Sequence, residues 1–282
     1  MTPPLVITAA ITGSVTSADE TPHLPISWDE IVEAAVTSSA AGAAIIHLHA
    51  REPDGTPTQD PEIFRELVDR INSAGCEAIL NLSTGSAGGR ANLEQRSECL
   101  ELGPEMATLD CGSMNFGEER VFSNPYSWLR DTAHRMRALG IRPEIEAFDT
   151  GMIANGRRLI DEGAIEGPGV WQLCLGVSGG APADLSTVAH MLGQLPAGAA
   201  WSLLGIGIHQ LELNMLSIAF GGHARTGLED NIYYRRGELA ESNAQLVARV
   251  VRLAGEFGRP VATPVEARAL LGITPARDEA AA

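Results

Sequence analysis

Residues 27–51 open Ser27-Trp28-Asp29-Glu30, run on through an amphipathic stretch to Gly42, and end Ala44-Ile45-Ile46-His47-Leu48-His49-Ala50-Arg51. Ser27 with Glu30 three residues later is a capping box, which predicts a helix over 28–41. Gly42 is a stop signal. The apolar run after it reads as a buried strand, Ala44–His49. The same alternation extends in both directions. Further strands are expected at Val6–Thr12, Ala78–Thr84, Met106–Met114, Pro143–Phe148, Trp171–Val177, Trp201–Gly207 and His223–Asp230. Helices are expected near 60–74, 91–102, 125–139, 151–162, 182–194 and 210–221, with a long one over 238–256. Strands and helices that alternate this regularly imply a parallel sheet, and eight such units imply a closed (β/α)8 TIM barrel. No Gly-x-Gly-x-x-Gly follows the first strand, so a dinucleotide-binding fold is unsupported.

The whole chain, 282 residues, is of the size of one such barrel. Residues 1–282 are therefore read as a single barrel domain with a C-terminal helical extension and a frayed tail from about Thr274. The 20 basic residues against 36 acidic ones give a net charge of −16, and every basic residue is arginine. Without lysine there is no protein Schiff base, hence no pyridoxal phosphate or lysine-aldolase chemistry, and no P-loop lysine. The acidity argues against nucleic acid as a partner. Cys76, Cys99, Cys111 and Cys174 are widely spaced and form no CxxC pair, which fits reduced thiols in the cytoplasm. Neither a signal peptide nor a membrane span is expected.

His47 and His49 alternate with Leu48, so on a strand both imidazoles face one side. They fall at the strand's carboxyl end, which in a barrel is the active-site mouth. Two neutral imidazoles there suit Zn²⁺ or another divalent cation; the competing reading is a pair of core histidines bonded to carbonyls. The last strand runs into Arg225-Thr226-Gly227-Leu228-Glu229-Asp230, and barrel closure brings it near the second strand. Glu229 could complete a two-histidine, one-carboxylate site with open positions. Asp230 could then act as base, and Arg225 could pair with a substrate carboxylate. The alternative is a surface turn with a solvated ion pair. Ser83 and Thr108 add hydroxyls at the third and fourth strand ends. Glu144 and Glu146 share one face of the fifth strand, where a carboxylate pair is costly unless it binds something or shares a proton. Two glycine-rich turns, Gly85–Arg90 and Ser178–Gly180, could offer backbone N–H groups to phosphate. The long loop 14–26 reads as a lid or substrate loop. His23, His209 and His223 read as structural.

His-Leu-His-Ala-Arg at 47–51, Pro-Glu-Met-Ala at 104–107, Gly-Ser-Met-Asn-Phe-Gly at 112–117 and Gly-Leu-Glu-Asp-Asn at 227–231 together resemble the β-keto acid cleavage enzymes. The resemblance runs from about Ile7 to the end of the long last helix. It implies a zinc-dependent (β/α)8 barrel, usually a homotetramer. Such an enzyme converts a β-keto acid and acetyl-CoA into acetoacetate and a new acyl-CoA by a retro-Claisen reaction. Carried over, it implies His47, His49 and Glu229 as zinc ligands, Asp230 as base, and Ser83, Thr108 and Arg225 as substrate-handling groups. Glu144 matches a further pocket carboxylate, with Glu146 also open by spacing. Some members carry glutamate directly after the first Thr-Gly; here Thr12-Gly13 is followed by Ser14, which speaks against an amino-bearing substrate. The alternatives are a metal-dependent aldolase or lyase, or a hydrolase, acting without CoA. A barrel that only binds metal would not need so many polar groups at its mouth.

Overall fold

The computed structural model describes residues 2–274. Eight parallel strands form a closed barrel: β1 (Ile7–Ala10), β2 (Ile45–Leu48), β3 (Ile79–Leu82), β4 (Met106–Asp110), β5 (Arg142–Ala147), β6 (Val170–Leu175), β7 (Ala200–Gly205) and β8 (His223–Thr226). Each strand pairs with its sequence neighbours, and β8 closes on β1 with Ile7 opposite Ala224 and Ala9 opposite Thr226. The strands are short because each backbone leaves the ladder once it reaches the mouth. The longer runs expected at 106–114 and 223–230 therefore split, and their last residues belong to loops. Met114–Phe116 instead pairs antiparallel with Arg120–Phe122, and Tyr233–Arg235 pairs with Glu238–Leu239.

The outer helices are α1 (Trp28–Ala40), α2 (Pro61–Ser73), α3 (Leu93–Arg96), α4 (Tyr126–Leu139), α5 (Thr150–Asp161), α6 (Leu185–Leu192), α7 (Gln210–Phe220) and α8 (Asn243–Glu256), followed by α9 (Pro264–Leu271). The capping box at Ser27 forms in both directions. Two expectations change. The helix over 91–102 is a single α-turn, α3, followed by a 3₁₀ segment at Glu98–Leu102. The helix expected from 238 begins only at Asn243, because Ser242 takes the N-cap and accepts from Gln245 N, while residues before it form the hairpin.

Apolar side chains pack in two shells between barrel and helices, one beneath α1, α2 and α8, the other beneath α4–α7. At the amino end of the strands α9 seals the barrel, with Ala267 and Leu271 against Val6, Ile45, Ile79 and Met106. The C-terminal extension is thus the barrel's floor; the tail beyond Thr274 lies outside the described residues. Inside the barrel the layers are polar: His47, Asn81, Thr108, Glu144, Gln172 and Arg225 are all buried. A barrel usually fills these positions with branched apolar residues. Polar ones here are costly unless each has a partner, and their partners define the site.

Candidate active site

Register sets the first part of the geometry. Ala10 of β1 stands opposite His47 of β2, which stands opposite Asn81 of β3. His47 and His49 then face each other edge to face, with ring centroids 5.0 Å apart. From the other side of β1 the chain leaves β8 through Gly227, at φ +143°, where any side chain would overlap the Ala10 carbonyl. This tight turn swings Glu229 over the mouth, and its backbone N–H bonds Ala10 O at 3.2 Å. Glu229 Oε1 lies 3.4 Å from His47 Nε2 and 3.4 Å from His49 Nε2. One ligand atom from each of the three falls within 4.8 Å of the others, the only such group of His, Cys, Asp or Glu among the described residues.

The donor set fits a divalent cation. Two imidazoles and a carboxylate are the ligands of open catalytic zinc sites. Burial lowers the His47 pKa to about 4, so the ring is neutral, as a ligand must be. Burial alone would raise the Glu229 carboxyl, but the two imidazoles and Arg225 hold it well below the usual range. Glu229 Oε2 and His47 Nδ1 are buried without a hydrogen-bond partner. Buried polar atoms rarely stay unpartnered, and a cation between these side chains would answer Glu229 Oε2.

Beside the triad Arg225 is buried and fourfold engaged. It donates from Nε and NH2 to the two oxygens of Asp230, each at 3.0 Å, from NH2 to Glu229 at 2.8 Å and from NH1 to Glu146 at 3.2 Å. Burial would lower its pKa, but these carboxylates raise it well above the usual value. Burial raises Asp230 to about 6 against the pull of Arg225. Burial and the neighbouring Asp110 raise Glu146 well above the usual carboxylate value, against the pull of Arg225. The thiols offer no nucleophile: burial pushes Cys99 up to about 12 and raises Cys111 and Cys174 as well.

A cavity of about 910 Å³ opens over this cluster. His47, His49, Ser83, Thr108, Arg225, Glu229 and Asp230 all line it. Ser83 Oγ accepts from Gly85 N at 3.1 Å, and Thr108 Oγ1 from Thr84 N at 3.0 Å. Of the two β5 carboxyls Glu146 faces the cavity. Glu144 sits two residues nearer the strand's start and accepts from Asn81 Nδ2 at 2.7 Å. Gly85, Ser86, Gly88, Gly89 and Ser178 bring both glycine-rich turns to the rim, and Ser14, Thr16 and Glu20 bring the first loop. His223 is far from the mouth, at the start of β8, where Nδ1 accepts from Val6 N at 3.1 Å.

Three supporting residues escaped sequence reasoning. Arg51, buried behind the triad, donates to Thr12 Oγ1 and to the Gly13, Thr16 and Gly55 carbonyls, tying the first loop down. Thr16 Oγ1 in turn bonds Glu229 O at 3.0 Å. Arg96 is buried between the rings of Phe122 and Trp128, 4.7 and 4.6 Å from their centroids, and reaches toward Asp110. Asn81 pairs Glu144. For Arg51 the signal was at hand, since it follows the His-x-His strand directly; Arg96 and Asn81 carry none.

Fold and cluster define a (β/α)8 barrel whose mouth brings together a His-His-Glu cluster able to hold a cation and an Arg–Asp pair. A family model described as beta-keto acid cleavage enzyme matches residues 4–273, and the chain belongs to that family. A 3-keto-5-aminohexanoate cleavage enzyme of Fusobacterium nucleatum is 44% identical over 269 residues, 95% of this chain and 98% of that protein. A 3-oxoadipate:acetyl-CoA acetyltransferase of Cupriavidus necator is 41% identical, covering 97% and 96%. Among solved structures ObcA, captured with a C4-CoA adduct and oxalate, superposes with a TM-score of 0.76 at 21% identity, over 89% of this chain and 68% of its own, and shares the fold.

Proposed function

We propose that the protein transfers an acyl group from a β-keto acid to CoA: β-keto acid and acetyl-CoA give acetoacetate and a new acyl-CoA. What carries the reading is the meeting of His47, His49 and Glu229 with the Arg225–Asp230 pair at one cavity wall, in a chain of this family. A divalent cation, zinc as the family resemblance implies or another divalent metal, would be held by those three residues and would supply Lewis acidity toward the substrate's keto oxygen and carboxylate. Asp230 takes the proton from C2, and Ser83, which lines the same cavity, would relay it. Burial gives Asp230 a proton affinity suited to a base at neutral pH. The C2 carbanion attacks the thioester carbonyl and expels CoA thiolate, the thiolate adds to C3, the C2–C3 bond breaks, and Asp230 returns its proton to C2 to give acetoacetate. Arg225, fixed by three carboxyls, presents its charge to the oxyanions without having to reorganise. Glu146 helps fix Arg225, Glu144 bonds Asn81 one layer deeper, and Thr108 offers a hydroxyl to the substrate at the cavity wall.

A homotetramer is part of the proposal. An apolar groove between α6 and α7, with Leu185 66% and Phe220 72% exposed, offers a self-association face. Light scattering on the eluting peak measures the mass. The four unpaired thiols support a cytoplasmic location.

The experiment is a screen of β-keto acids with and without acetyl-CoA, reading acetoacetate. Acetoacetate formed only with acetyl-CoA is the expected result. Consumption of the keto acid at the same rate without it would make the protein a lyase or hydrolase and end this reading.

A further inference from the structure

The cavity is much larger than the cation site, and its remaining wall has a marked chemistry. Going round the rim from β6 to β1, the apolar side chains that face the cavity are Val177 after β6, Leu204 and Ile206 on and after β7, Ile232 after β8 and Val15 after β1, with Ser14 beside it and polar neighbours such as Asn231 and Thr16 on the same segments. These strands are consecutive neighbours in the closed barrel, so the six side chains form one arc. The β7 and β8 parts are bonded together, Gly207 N to Asp230 O at 2.8 Å. The arc runs up to the triad itself: a Cβ on Gly13, beside Ser14, would come 2.6 Å from Glu229 Cγ. The charged groups on the same segments are Arg225, Glu229 and Asp230 of the site and Glu20 of the first loop.

Each charged group on the cavity wall has at least one partner in the protein. Arg225, Asp230, Glu146 and Glu229 bond one another. Asp110 is buried with Arg96 3.8 Å away. Glu20, out on the first loop, accepts from Ser17 N and Oγ at 2.9 and 3.1 Å. Arg120 is exposed on the hairpin, donating to Gly88 O at 3.2 Å and lying over the Phe116 ring. A keto acid held by its keto and carboxylate oxygens at the triad would have the arc beside it for its substituent. An ammonium or second carboxylate on the arc would lose water and meet no counter-charge free of a partner. A site with no partner for a charged group discriminates against it far more strongly than against an extra methylene.

Resting on the acyl-transfer reading above, we propose that the substrate is a β-keto acid with an uncharged, apolar substituent, a short alkyl chain seated on this arc. Two measurements separate this inference from the reading beneath it. The first is kcat/KM of the zinc-loaded enzyme with saturating acetyl-CoA, for 3-oxopentanoate, 3-oxohexanoate, 3-oxoadipate and 5-amino-3-oxohexanoate. The neutral acids should lead both charged ones by at least about 100-fold. The second is calorimetric titration of the same acids without acetyl-CoA, which should give the same order of affinity. Turnover that favours either charged acid overturns the inference and leaves the reaction standing. Tightest binding of neutral acids with no turnover of any acid supports the inference and sinks the reaction. Ser14→Glu, which places a carboxylate on the arc, should improve the 5-amino acid relative to 3-oxohexanoate at least tenfold. Ile206→Gln should lower kcat/KM for 3-oxohexanoate and leave the KM of acetyl-CoA unchanged. A rise in the acetyl-CoA KM alone would make the arc the thioester's channel and refute its assignment to the keto acid.

Discussion

Asp230 and Glu229 are adjacent in sequence and share Arg225, yet their tasks separate cleanly. Glu229 leans toward two imidazoles, whereas Asp230 leans only on the guanidinium. Glu229→Ala and His47→Ala should therefore lose bound zinc while keeping the barrel's circular dichroism, and metal analysis that found full occupancy in both would refute the ligand set. Asp230→Asn keeps the shape and an acceptor for Arg225, so it should retain zinc and lose about 10²-fold or more in kcat; wild-type rates would remove Asp230 as base. A different residue governs acid stability. His223, under β8, has a pKa lowered to about 4 by burial and then by Arg259, against about 6.5 in an unfolded chain. Between those values the unfolded chain holds a proton that the barrel excludes, so stability falls as pH drops through this window. The cost is about 2 kcal/mol between pH 7 and pH 5. His223→Asn, which keeps an acceptor for Val6 N–H, should show a smaller loss of Tm over that range; an equal loss would place the acid sensitivity elsewhere. At this scale the sequence was most legible where chemistry and strand spacing coincide. His47 and His49 declare themselves by alternation, and Glu229 and Asp230 by following the last strand. Glu146 against Glu144 was not decidable, since both point inward, and only the depth of β5 in the barrel brings Glu146 to Arg225.

The elements that aim these side chains are turns rather than strands. Gly13, at φ +65°, ends β1's exit directly beneath Glu229. Gly13→Ala places a methyl against Glu229 Cγ in a left-handed conformation that by itself costs about 1–2 kcal/mol. Glu229 must then move off the imidazoles. The variant should melt lower by a few degrees and bind zinc about 10–100-fold more weakly, as a competition titration would read; unchanged affinity would mean that the loop does not position the ligand. Legibility drops at this scale for a physical reason. Barrel strands and outer helices bury a face and so carry a period. The hairpins at 114–122 and 233–239 have strands of two or three residues, too short for any period to register. Their backbone pairing was invisible, and the helix expected from 238 absorbed one of them although Ser242 with Gln245 marked the true start.

Across the whole molecule the cation site joins parts of the chain that lie far apart: His47 and His49 come from the second strand and Glu229 from beyond the eighth. The ligands thus span β1 and bridge the seam where the barrel closes. Only the folded chain assembles them, so the ion must favour the folded state by mass action. At a free zinc concentration about 1,000 times Kd the gain is about 4 kcal/mol, which for a chain of this size raises Tm by about 7 °C. Exhaustive chelation should remove that increment. The far-ultraviolet spectrum at 25 °C should not change, because α9, the two outer apolar shells and the Arg225 carboxylate cluster hold the barrel without metal. Readdition of zinc should restore the melting temperature, and in Glu229→Ala neither chelator nor zinc should move it. A wild-type melting curve indifferent to metal would show that His47, His49 and Glu229 do not close around an ion, and the acyl-transfer chemistry would lose its electrophile.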